Sequence, residues 1–330
     1  MFDIITFGSA TRDTFLRLKK EGYRILEEGE RFEERALCFP LGGKIFIEDM
    51  KVFSGGGATN TACTFSNQGF KVACFSKVGT DKRGEAIIEE LKKFKVETQF
   101  IKKDKRYPTA YSAILSLKGE RTILIYRGAC HFIEKEEIPW EQIKKVKWFY
   151  LAPLSGDSSK VFASLVDFAH NHKIKIAANP GNTQLSLGEE ILKPILSKID
   201  ILILNKEEAS FLTKIPREKE IEIIKKIIPL IKGIAVITKG KEGAVVSDGK
   251  YIFEAGTPEV LPFEKTGAGD AFGSGFLSGL LQKNDIEYAI QLATANATSC
   301  IQKIGAKNGL LKKDEWGSWP KVKVRKRLLK

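Results

Sequence analysis

The segment from Lys265 to Phe276 combines glycines and a hydroxyl residue directly before an apolar, helix-periodic stretch. The backbone N–H groups of Gly267, Ala268 and Gly269 would be unpaired at a helix N-terminus, where they attract an anion. Small residues also let a phosphate approach the backbone closely. The segment therefore predicts an anion site built from main-chain amides.

Asp270 lies in the first turn of the helix that these glycines introduce. An acid there could act only as a helix cap, stabilising the dipole by about 0.5 kcal/mol. An acid beside an anion site repels the anion, however, so capping alone explains it poorly. A general base that takes a proton from a hydroxyl attacking phosphorus explains it better. We therefore predict that Asp270 is a catalytic base.

A second glycine-rich segment, with Gly55, Gly56 and Gly57 in succession, opens a predicted helix at residues 60–69. Alone, this segment indicates a hinge or a tight turn. Its glycine spacing does not fit a dinucleotide-binding fingerprint, and the sequence contains no GxxxxGK[ST] phosphate loop. A bound nucleotide would therefore be held in another way.

Two further polar segments follow predicted strands, at the edge where open α/β sheets bind ligands. Asn205 and Glu208 follow a strand at residues 199–204, and their amide and carboxylate groups suit a Mg²⁺ that keeps its waters. Capping of the next helix by Asn205 explains the same residues, and this alternative stays open. The segment that begins at Thr238 offers amides and two lysines to a phosphate, although alone it is typical of a plain β-turn.

Short apolar runs alternate with longer amphipathic stretches along the chain. The runs predict strands at residues 3–7, 72–78, 148–152, 174–178, 199–204 and 234–238. The amphipathic stretches predict helices at residues 60–69, 82–94, 158–172, 207–213, 218–232, 268–282 and 286–303. This alternation predicts an α/β fold with a mostly parallel sheet.

Two stretches interrupt the alternation. Residues 14–53 are rich in charge and glycine and contain a strand-like piece at residues 44–48. Residues 109–126 are typical of a hairpin that turns at Lys118-Gly119-Glu120. Both stretches predict a small accessory sheet, which would serve equally as an active-site lid or as a dimerisation flap.

The chain is basic: 54 of its 330 residues are Lys or Arg and 41 are Asp or Glu, a formal net charge of +13. A nucleic-acid partner would need basic residues clustered with aromatic residues on one surface. The basic residues are instead spread over helices and loops, and only residues 321–330 concentrate them, as is typical of a frayed, solvated tail. We therefore predict no nucleic-acid partner.

The composition is globular, with 43% apolar residues, and the length allows one large domain or two domains of about 150 residues. The five cysteines are scattered without CxxC spacing, which favours reduced thiols in a cytoplasmic protein. No stretch approaches the ~20 apolar residues that span a bilayer, so we predict no membrane partner.

Taken together, these segments resemble the ribokinase (PfkB) family of carbohydrate and nucleoside kinases over nearly the whole chain. Four of them are similar to family motifs and occur in the family's order: the Gly55-Gly56…Asn60 segment with Gly69 and Val78-Gly79-Thr80-Asp81, the Asn205-x-x-Glu208 motif, the Thr238-x-Gly240-x-x-Gly243 nucleotide loop, and Thr266-Gly267-Ala268-Gly269-Asp270 with Phe272 and Gly275.

The resemblance implies a ribokinase-like three-layer α/β/α fold with a mostly parallel central sheet and a small β-sheet lid. One kinase domain would span residues 1–320, with the lid formed from inserts at about 14–53 and 106–128. Residues 321–330 would be a basic C-terminal tail. The edges of the lid sheet leave open a homodimer formed through it.

The implied reaction moves the γ-phosphoryl group of ATP·Mg²⁺ to a hydroxymethyl group of a sugar or sugar acid, with Asp270 as the base and the amides of Gly267, Ala268 and Gly269 as the anion hole. The resemblance also assigns the remaining site residues: substrate contacts at Asp13 and Asn60, a lid hinge at Gly55 and Gly56, nucleotide contacts at Asn205, Thr238, Gly240, Gly243 and Asn296, and Mg²⁺ at Glu208 through water.

Three departures from the family pattern bear on the substrate. Gly57 stands where ribokinases often have Lys, which weakens ribose as the acceptor. Glu264-Lys265 replaces the Asp-Thr pair of members that bind a monovalent cation, and Lys265 could supply the charge, so K⁺ dependence is not expected. Tyr126-Arg127 resembles members that recognise acidic or phosphorylated sugars, and Arg127 would either grip such an anion or be an exposed strand-end Arg.

Two other functions stay open beside a sugar kinase. One is a nucleoside kinase of the same family. The other is a catalytically idle regulator that binds a sugar or a nucleotide, although the intact Asp270 and its glycines argue against it.

Overall fold

The computed structural model of the chain describes residues 1–27, 29, 35–117 and 120–329. The predicted turn at Lys118 and Gly119 lies outside these residues, as does Lys330. In the part that is described, no helix combines the length and hydropathy needed to cross a membrane.

The strands are, in chain order, β1 Ile4–Phe7, β2 Thr11–Leu18, β3 Arg24–Leu26, β4 Ala36–Cys38, β5 Ile47–Gly55, β6 Val72–Phe75, β7 Lys77–Gly79, β8 Lys102–Asp104, β9 Ala110–Leu117, β10 Glu120–Tyr126, β11 Trp148–Leu151, β12 Lys175–Ala178, β13 Ile201–Asn205, β14 Ile234–Thr238, β15 Ala244–Ser247, β16 Tyr251–Ala255 and β17 Val324–Leu328. The α-helices are α1 Gly57–Asn67, α2 Lys82–Lys93, α3 Trp140–Ile143, α4 Val161–Asn171, α5 Asn182–Leu185, α6 Glu189–Leu196, α7 Lys206–Thr213, α8 Glu220–Ile227, α9 Ala268–Lys283 and α10 Ile286–Cys300.

Within the described ranges, the central sheet has nine strands in the order β17-β16-β15-β14-β13-β12-β11-β1-β6. In this sheet, β6, β1, β11, β12, β13 and β14 are parallel to one another. Beyond β14 the sheet continues with β15, β16 and β17, each paired antiparallel to the strand before it. The predicted α/β fold with a mostly parallel sheet is therefore confirmed. The predicted strand at residues 72–78 is wrong in one respect, because the chain leaves the central sheet after β6 and pairs again as β7 with β8.

Two hydrophobic clusters cover the two faces of the central sheet. Side chains of β1 alternate between the two faces, so Ile5 and Phe7 belong to one cluster and Ile4 belongs to the other. The first cluster includes side chains of α4, α6 and α8, and the second includes side chains of α1, α2, α9 and α10. The result is a three-layer α/β/α arrangement.

A separate four-stranded sheet, here called the small sheet, has the strand order β10-β9-β2-β5. It comes from the two stretches that interrupt the strand–helix alternation, as the sequence predicts. The strand-like piece was misplaced, however, because the paired segment is Ile47–Gly55 rather than residues 44–48. The antiparallel partner β2 sets this register, which the local sequence does not define.

The C-terminal strand β17 corrects the expectation of a frayed tail. Val324–Leu328 pairs antiparallel with β16 along its whole length. The ammonium group of Lys326 lies 4.2 Å from the centre of the Tyr251 ring, so the strand is held by its side chains as well. The basic residues thus mark a charged edge strand, a common way to protect a sheet edge from pairing with other chains.

Candidate active site

The three residues of the predicted anion site lie at the N-terminus of α9. Gly267, which precedes the helix, has φ +82°, and a Cβ there would collide with Ala306. Only glycine fits this left-handed position without strain. Gly269 is exposed, and a Cβ on it would meet no atom within 4 Å. The first turn of α9 is therefore open to a ligand on the side of Gly269.

Asp270, the next residue, accepts a hydrogen bond from Asn60 Nδ2 on its Oδ2 at 2.8 Å. Removal from water raises the pKa of the Asp270 carboxyl, and the charge of Asp13 adds to this. The bond from Asn60 and the charge of Lys307 act in the opposite direction. A carboxylate with a raised pKa and a fixed orientation is suited to accept a proton.

Asn60, predicted to hold substrate hydroxyls, is instead bonded to the candidate base. It is buried in the first turn of α1, and its Oδ1 has no hydrogen-bond partner among the described residues. Gly57 of the same helix allows α1 to approach the residue after β11, since a Cβ there would lie 2.8 Å from Ala152 Cβ. The structure thus brings Asn60 and Asp270 together, although they lie 210 residues apart in sequence.

Asp13 is a second buried carboxylate and lies on β2 of the small sheet. Burial raises its pKa, and hydrogen bonds from Thr11 and Ser112 oppose this rise. The Thr11 hydroxyl donates to Asp13 Oδ1 at 2.8 Å. A Cβ on Gly55 would collide with the other carboxylate oxygen, so this glycine makes room for the Asp13 side chain.

The turn from β5 into α1 depends on Gly56. This residue has φ +98°, and a Cβ on it would collide with the carbonyl group of Ser9. Because β5 belongs to the small sheet and α1 packs against the central sheet, Gly56 lies where the two parts of the molecule join. This location suits the hinge that the sequence predicts.

Lys307 is a site residue that sequence reasoning missed. It is buried, and its Nζ donates to Ser54 O at 2.9 Å and to Ser54 Oγ at 2.8 Å. Glu90 Oε1 lies 3.4 Å away and completes its surroundings. The charge of Lys307 favours the ionised forms of both Asp13 and Asp270. No sequence signal separates this lysine from the rest of the 54 Lys and Arg residues, because only the fold buries it.

Asn205 and Glu208 form a reciprocal capping box at the start of α7. Asn205 Oδ1 accepts the Glu208 N–H at 2.7 Å, and Glu208 Oε2 accepts the Asn205 N–H at 2.9 Å. Burial raises the pKa of the Glu208 carboxyl. The capping alternative is therefore what the structure shows, and a hydrogen bond from the Asn179 side chain adds to the contacts of the Glu208 carboxylate.

This donor set fits a magnesium ion only in a water-rich form. Among the described residues, no group of three or more His, Cys, Asp or Glu side chains could hold a metal ion. Mg²⁺ commonly binds through one or two carboxylates, substrate phosphates and several retained waters. Glu208, at the C-terminal edge of β13, would supply such a carboxylate.

A cavity of about 980 Å³ lies between the nucleotide loop and the N-terminus of α9. Thr238, Gly240 and Gly243 line one side, and Ala268 and Gly269 line another. Sequence reasoning missed other parts of its wall, which include residues 256–262 and α10 residues Thr294, Ala297 and Thr298. Gly269 lines the cavity, and Asp270 is the next residue in the chain.

The prediction for Asn296 is wrong. This residue is fully buried, and its Nδ2 donates to Ala271 O at 2.8 Å while its Oδ1 accepts the Leu311 N–H at 2.9 Å. Both ends of the amide are thus used inside the protein. The next residue, Ala297, lines the cavity instead. The rotation of α10 about its axis decides which of its side chains face the cavity, and the sequence motif does not determine that rotation.

Arg127 is exposed at the end of β10, and its Nη1 donates to the Ser155 hydroxyl at 2.8 Å. Ser155 lies four residues after β11 and therefore at the C-terminal edge of the central sheet. Asn60 and Asp270 lie at this same edge, because a Cβ on Gly57 of α1 would lie 2.8 Å from Ala152, which directly follows β11, and 3.6 Å from Asp270 Oδ1. The free N–H groups of the guanidinium remain available for an anion.

Known proteins resemble this chain in family, in sequence and in fold. The model of the pfkB family carbohydrate kinases matches residues 42–313. The ATP-dependent 6-phosphofructokinase of Thermoanaerobacterium thermosaccharolyticum is 25% identical over 294 residues, covering 86% of this chain and 89% of the relative. The nucleoside kinase of Methanothermobacter thermautotrophicus is 26% identical over 269 residues, covering 80% and 83%.

Among solved structures, Arabidopsis thaliana ribokinase complexed with ribose and ATP has a TM-score of 0.75 and 20% identity, covering 94% of this chain and 96% of the other. That likeness shows the ribokinase fold. The family match covers most of the chain, so the protein belongs to the pfkB family of carbohydrate kinases. It is therefore a kinase of the ribokinase superfamily, whose members act on sugars or nucleosides.

Proposed function

We propose that the protein transfers the γ-phosphoryl group of ATP to a hydroxymethyl group of a sugar or sugar acid. The single observation that carries this proposal is the placement of Asp270 between the cavity and the Asn60 side chain. A base there lies between a phosphate on the glycine amides and an acceptor beneath the small sheet. Phosphoryl transfer needs this positioning and charge stabilisation more than covalent help.

Each group has a distinct part in the proposed reaction. Asp270 takes the proton of the acceptor hydroxyl as its oxygen attacks phosphorus. The bond from Asn60 to one oxygen of Asp270 leaves the other oxygen to receive that proton. The amides of Gly267, Ala268 and Gly269 donate to the phosphoryl oxygens and stabilise their developing charge.

The nucleotide would occupy the cavity. Thr238, Gly240 and Gly243 line it opposite α9 and would contact the nucleotide phosphates, and Lys265 adds a positive charge to the wall. Asn205 would act mainly by holding Glu208 in place. A Mg²⁺ ion at Glu208, when bound with the nucleotide, would neutralise phosphate charge.

The acceptor would lie beneath the small sheet, near Asp13, Gly55 and Gly56. The buried Asp13 carboxylate would accept hydrogen bonds from sugar hydroxyls. Arg127 would bind a carboxylate or phosphate on the acceptor, because a guanidinium pairs well with such anions. The 6-phosphofructokinase relative supports an anionic sugar, since its own named substrate class is phosphorylated.

A nucleoside acceptor is the second candidate, and one observation favours it. Ile125 pairs with Ser112, which pairs with Asp13, so its side chain lies on the same face of the small sheet as Asp13. Ile125 is 57% exposed there. An exposed apolar side chain near the acceptor site suits a nucleobase better than a sugar acid. The nucleoside kinase relative is consistent with this candidate.

We propose that the small sheet acts as a lid over the acceptor and so limits ATP hydrolysis by water. Its outer face carries Met50, Val52 and Leu124, which the strand register places on the side opposite Asp13. All three are exposed, so a second copy of the chain could pack there as a homodimer. Sedimentation of wild type and of Leu124→Asp tests this: a dimer that the substitution dissociates supports it, and a wild-type monomer contradicts it.

A coupled ADP-release assay tests the proposed reaction. The panel contains ribose, fructose, 2-keto-3-deoxygluconate, fructose phosphates, adenosine and cytidine, each with ATP and Mg²⁺, in the presence and absence of K⁺. Release with a sugar, sugar acid or sugar phosphate supports the leading proposal, and release with adenosine or cytidine alone supports the second. Absence of release with every acceptor would favour a non-catalytic regulator.

The role of Asp270 is tested by Asp270→Asn. We expect kcat to fall by about 10²- to 10⁴-fold while ATP still binds. Asp167→Asn, a change at a surface ion pair on α4, is the matched control and should retain kcat. Near-normal turnover of Asp270→Asn would contradict the assignment of the base.

A further inference from the structure

Arg121 lies on the cleft side of the small sheet, at its β10 edge. Arg121 pairs with Ser116 of β9, and Ser116 pairs with Arg17 of β2. Because side chains alternate along a strand, Arg17 and Asp13 point to the same face, four residues apart. Arg121 therefore points to the same side of the sheet as the Asp13 carboxylate, although it lies two strands away.

From this position Arg121 reaches the loop that leads into α9. Its Nη1 donates to Glu264 Oε1 and to Thr266 Oγ1, both at 3.1 Å. Glu264 is only 7% exposed. The same Oε1 atom accepts the Thr266 N–H at 3.1 Å and the Thr266 hydroxyl at 2.8 Å. A single carboxylate oxygen thus joins the small sheet to the residue that directly precedes Gly267.

The ion pair adds a second positive charge at this loop, beside the one that the sequence places at Lys265. Lys265 is exposed and lines the cavity, so its charge faces the nucleotide side. Among the described residues, the ion pair of Glu264 is made by Arg121. The backbone on the other side of the loop is held by α10, since Phe263 N donates to Ile301 O at 2.8 Å. The loop is therefore fixed from both sides only while Arg121 is in place.

We propose that Arg121 is a positioning residue that couples closure of the small sheet to the geometry of the glycine anion site. The proposal rests on the proposed function of the Gly267, Ala268 and Gly269 amides. When the small sheet lies over the cleft, Arg121 holds Glu264 and Thr266, and Thr266 in turn fixes the peptide of Gly267. When the sheet moves away, this support is lost and the amides no longer match the transferring phosphoryl group.

Steady-state kinetics test the coupling with Arg121→Met and Arg121→Lys. Arg121→Met should lower kcat about tenfold to hundredfold, as expected for misplaced groups, with little change in the KM for ATP. Arg121→Lys keeps the charge and should recover part of kcat. Arg17→Met, which removes another arginine from the same face of the sheet, is the matched control and should leave kcat unchanged.

A double-mutant cycle shows whether Arg121 acts through Glu264. If it does, adding Glu264→Gln to Arg121→Met should lower kcat little further, because either change breaks the same link. Independent, multiplicative losses would overturn the proposal. An unchanged kcat in Arg121→Met would also overturn it.

Hydrogen–deuterium exchange separates this proposal from the proposed function, because it needs no turnover. Loss of the Arg121 link should speed exchange across residues 263–269 in Arg121→Met, and most strongly at the Thr266 amide, which Glu264 holds. Arg17→Met should not change it. Equal exchange rates at residues 263–269 in Arg121→Met and wild type would contradict the proposed coupling, even if the protein is an active kinase. If exchange is faster in Arg121→Met but the wild-type protein phosphorylates no acceptor, the Arg121 link is supported and the proposed kinase reaction is contradicted.

Discussion

Lys307 and Arg121 are two of the cations that tie the small sheet to the rest of the molecule, and they differ in burial and in the kind of partner they bind. Lys307 binds Ser54 at the inner end of the sheet, where its side chain is 2% exposed. Arg121 binds Glu264 at the outer end, where its own side chain is 33% exposed. The inner link joins a buried ammonium to a strand end, and the outer link joins a half-exposed guanidinium to a loop.

The difference indicates which end of the small sheet can move. Breaking the inner link would leave a buried charge and two polar atoms of Ser54 without partners, which is costly. Breaking the outer link returns the partly exposed Arg121 to water, and Glu264 keeps the hydrogen bonds from the Thr266 N–H and hydroxyl, so this cost is smaller. The sheet should therefore pivot at Gly56 and Lys307 and open at Arg121.

The largest effect is expected for Lys307→Met. Loss of the buried cation should lower the free energy of unfolding by about 3 kcal/mol, measured by urea denaturation. Burial already raises the pKa of Asp270, and without Lys307 it should rise further. Since the base must be ionised, the acidic limb of the kcat/KM profile should move to higher pH.

Lys77→Met is the matched control for that change. Lys77 is also buried, and it pairs with Asp104 at 2.9 Å and Glu137 at 2.8 Å, away from the candidate active site. Its loss should destabilise the fold by a comparable amount without moving the pH profile. Equal pH shifts in both variants would mean that Lys307 has no particular role at Asp270.

The pivot itself is tested by Gly56→Ala. The backbone at Gly56 has φ +98°, and the new Cβ would collide with Ser9 O, so we expect a loss of about 2 kcal/mol in unfolding free energy together with reduced kcat. Gly188→Ala is the control: this residue has φ +88° but open space around it, so the loss should be about 1 kcal/mol with kcat retained. Similar kcat in both variants would contradict a pivot at Gly56.

Asp270→Asn should raise stability at neutral pH, by about 1 kcal/mol. The folded protein raises the pKa of Asp270, so it binds that proton more tightly than the unfolded chain does. Stability therefore falls as pH rises from the ordinary carboxyl pKa through the raised one, and the ionised group is unfavourable at pH 7. Thermal unfolding of Asp270→Asn and Asp167→Asn at neutral and acid pH measures this, and a less stable Asp270→Asn at neutral pH would contradict it.

The smallest effect is expected from salt. Raising the ionic strength from about 0.05 to about 0.5 M should screen the half-exposed Arg121–Glu264 pair and speed exchange at the Thr266 amide, by an amount worth less than about 1 kcal/mol. The Lys307–Ser54 link is buried and should not respond. A salt effect of equal size at both ends would remove the distinction between them.

Local sequence features predicted the framework of the candidate site well. The glycines before α9 and the capping box at Asn205 both depend on contacts between residues a few positions apart. Strand and helix positions are equally local, because they follow from the periodicity of apolar residues. The boundaries differ by a few residues, and β5 was misplaced because its partner strand sets its register.

The sequence alone therefore determined the α/β alternation, the glycines and adjacent acid of the candidate anion site, and the resemblance to the family. Only the tertiary structure decided that Asn60 bonds to Asp270, that Asn296 turns inward, that Val324–Leu328 pairs at the sheet edge, and that Lys307 and Arg121 link the small sheet to the rest of the molecule. The physical reason is the range of the interactions: helix caps and periodic faces arise between near neighbours, whereas burial and ion pairing depend on segments that meet only after folding.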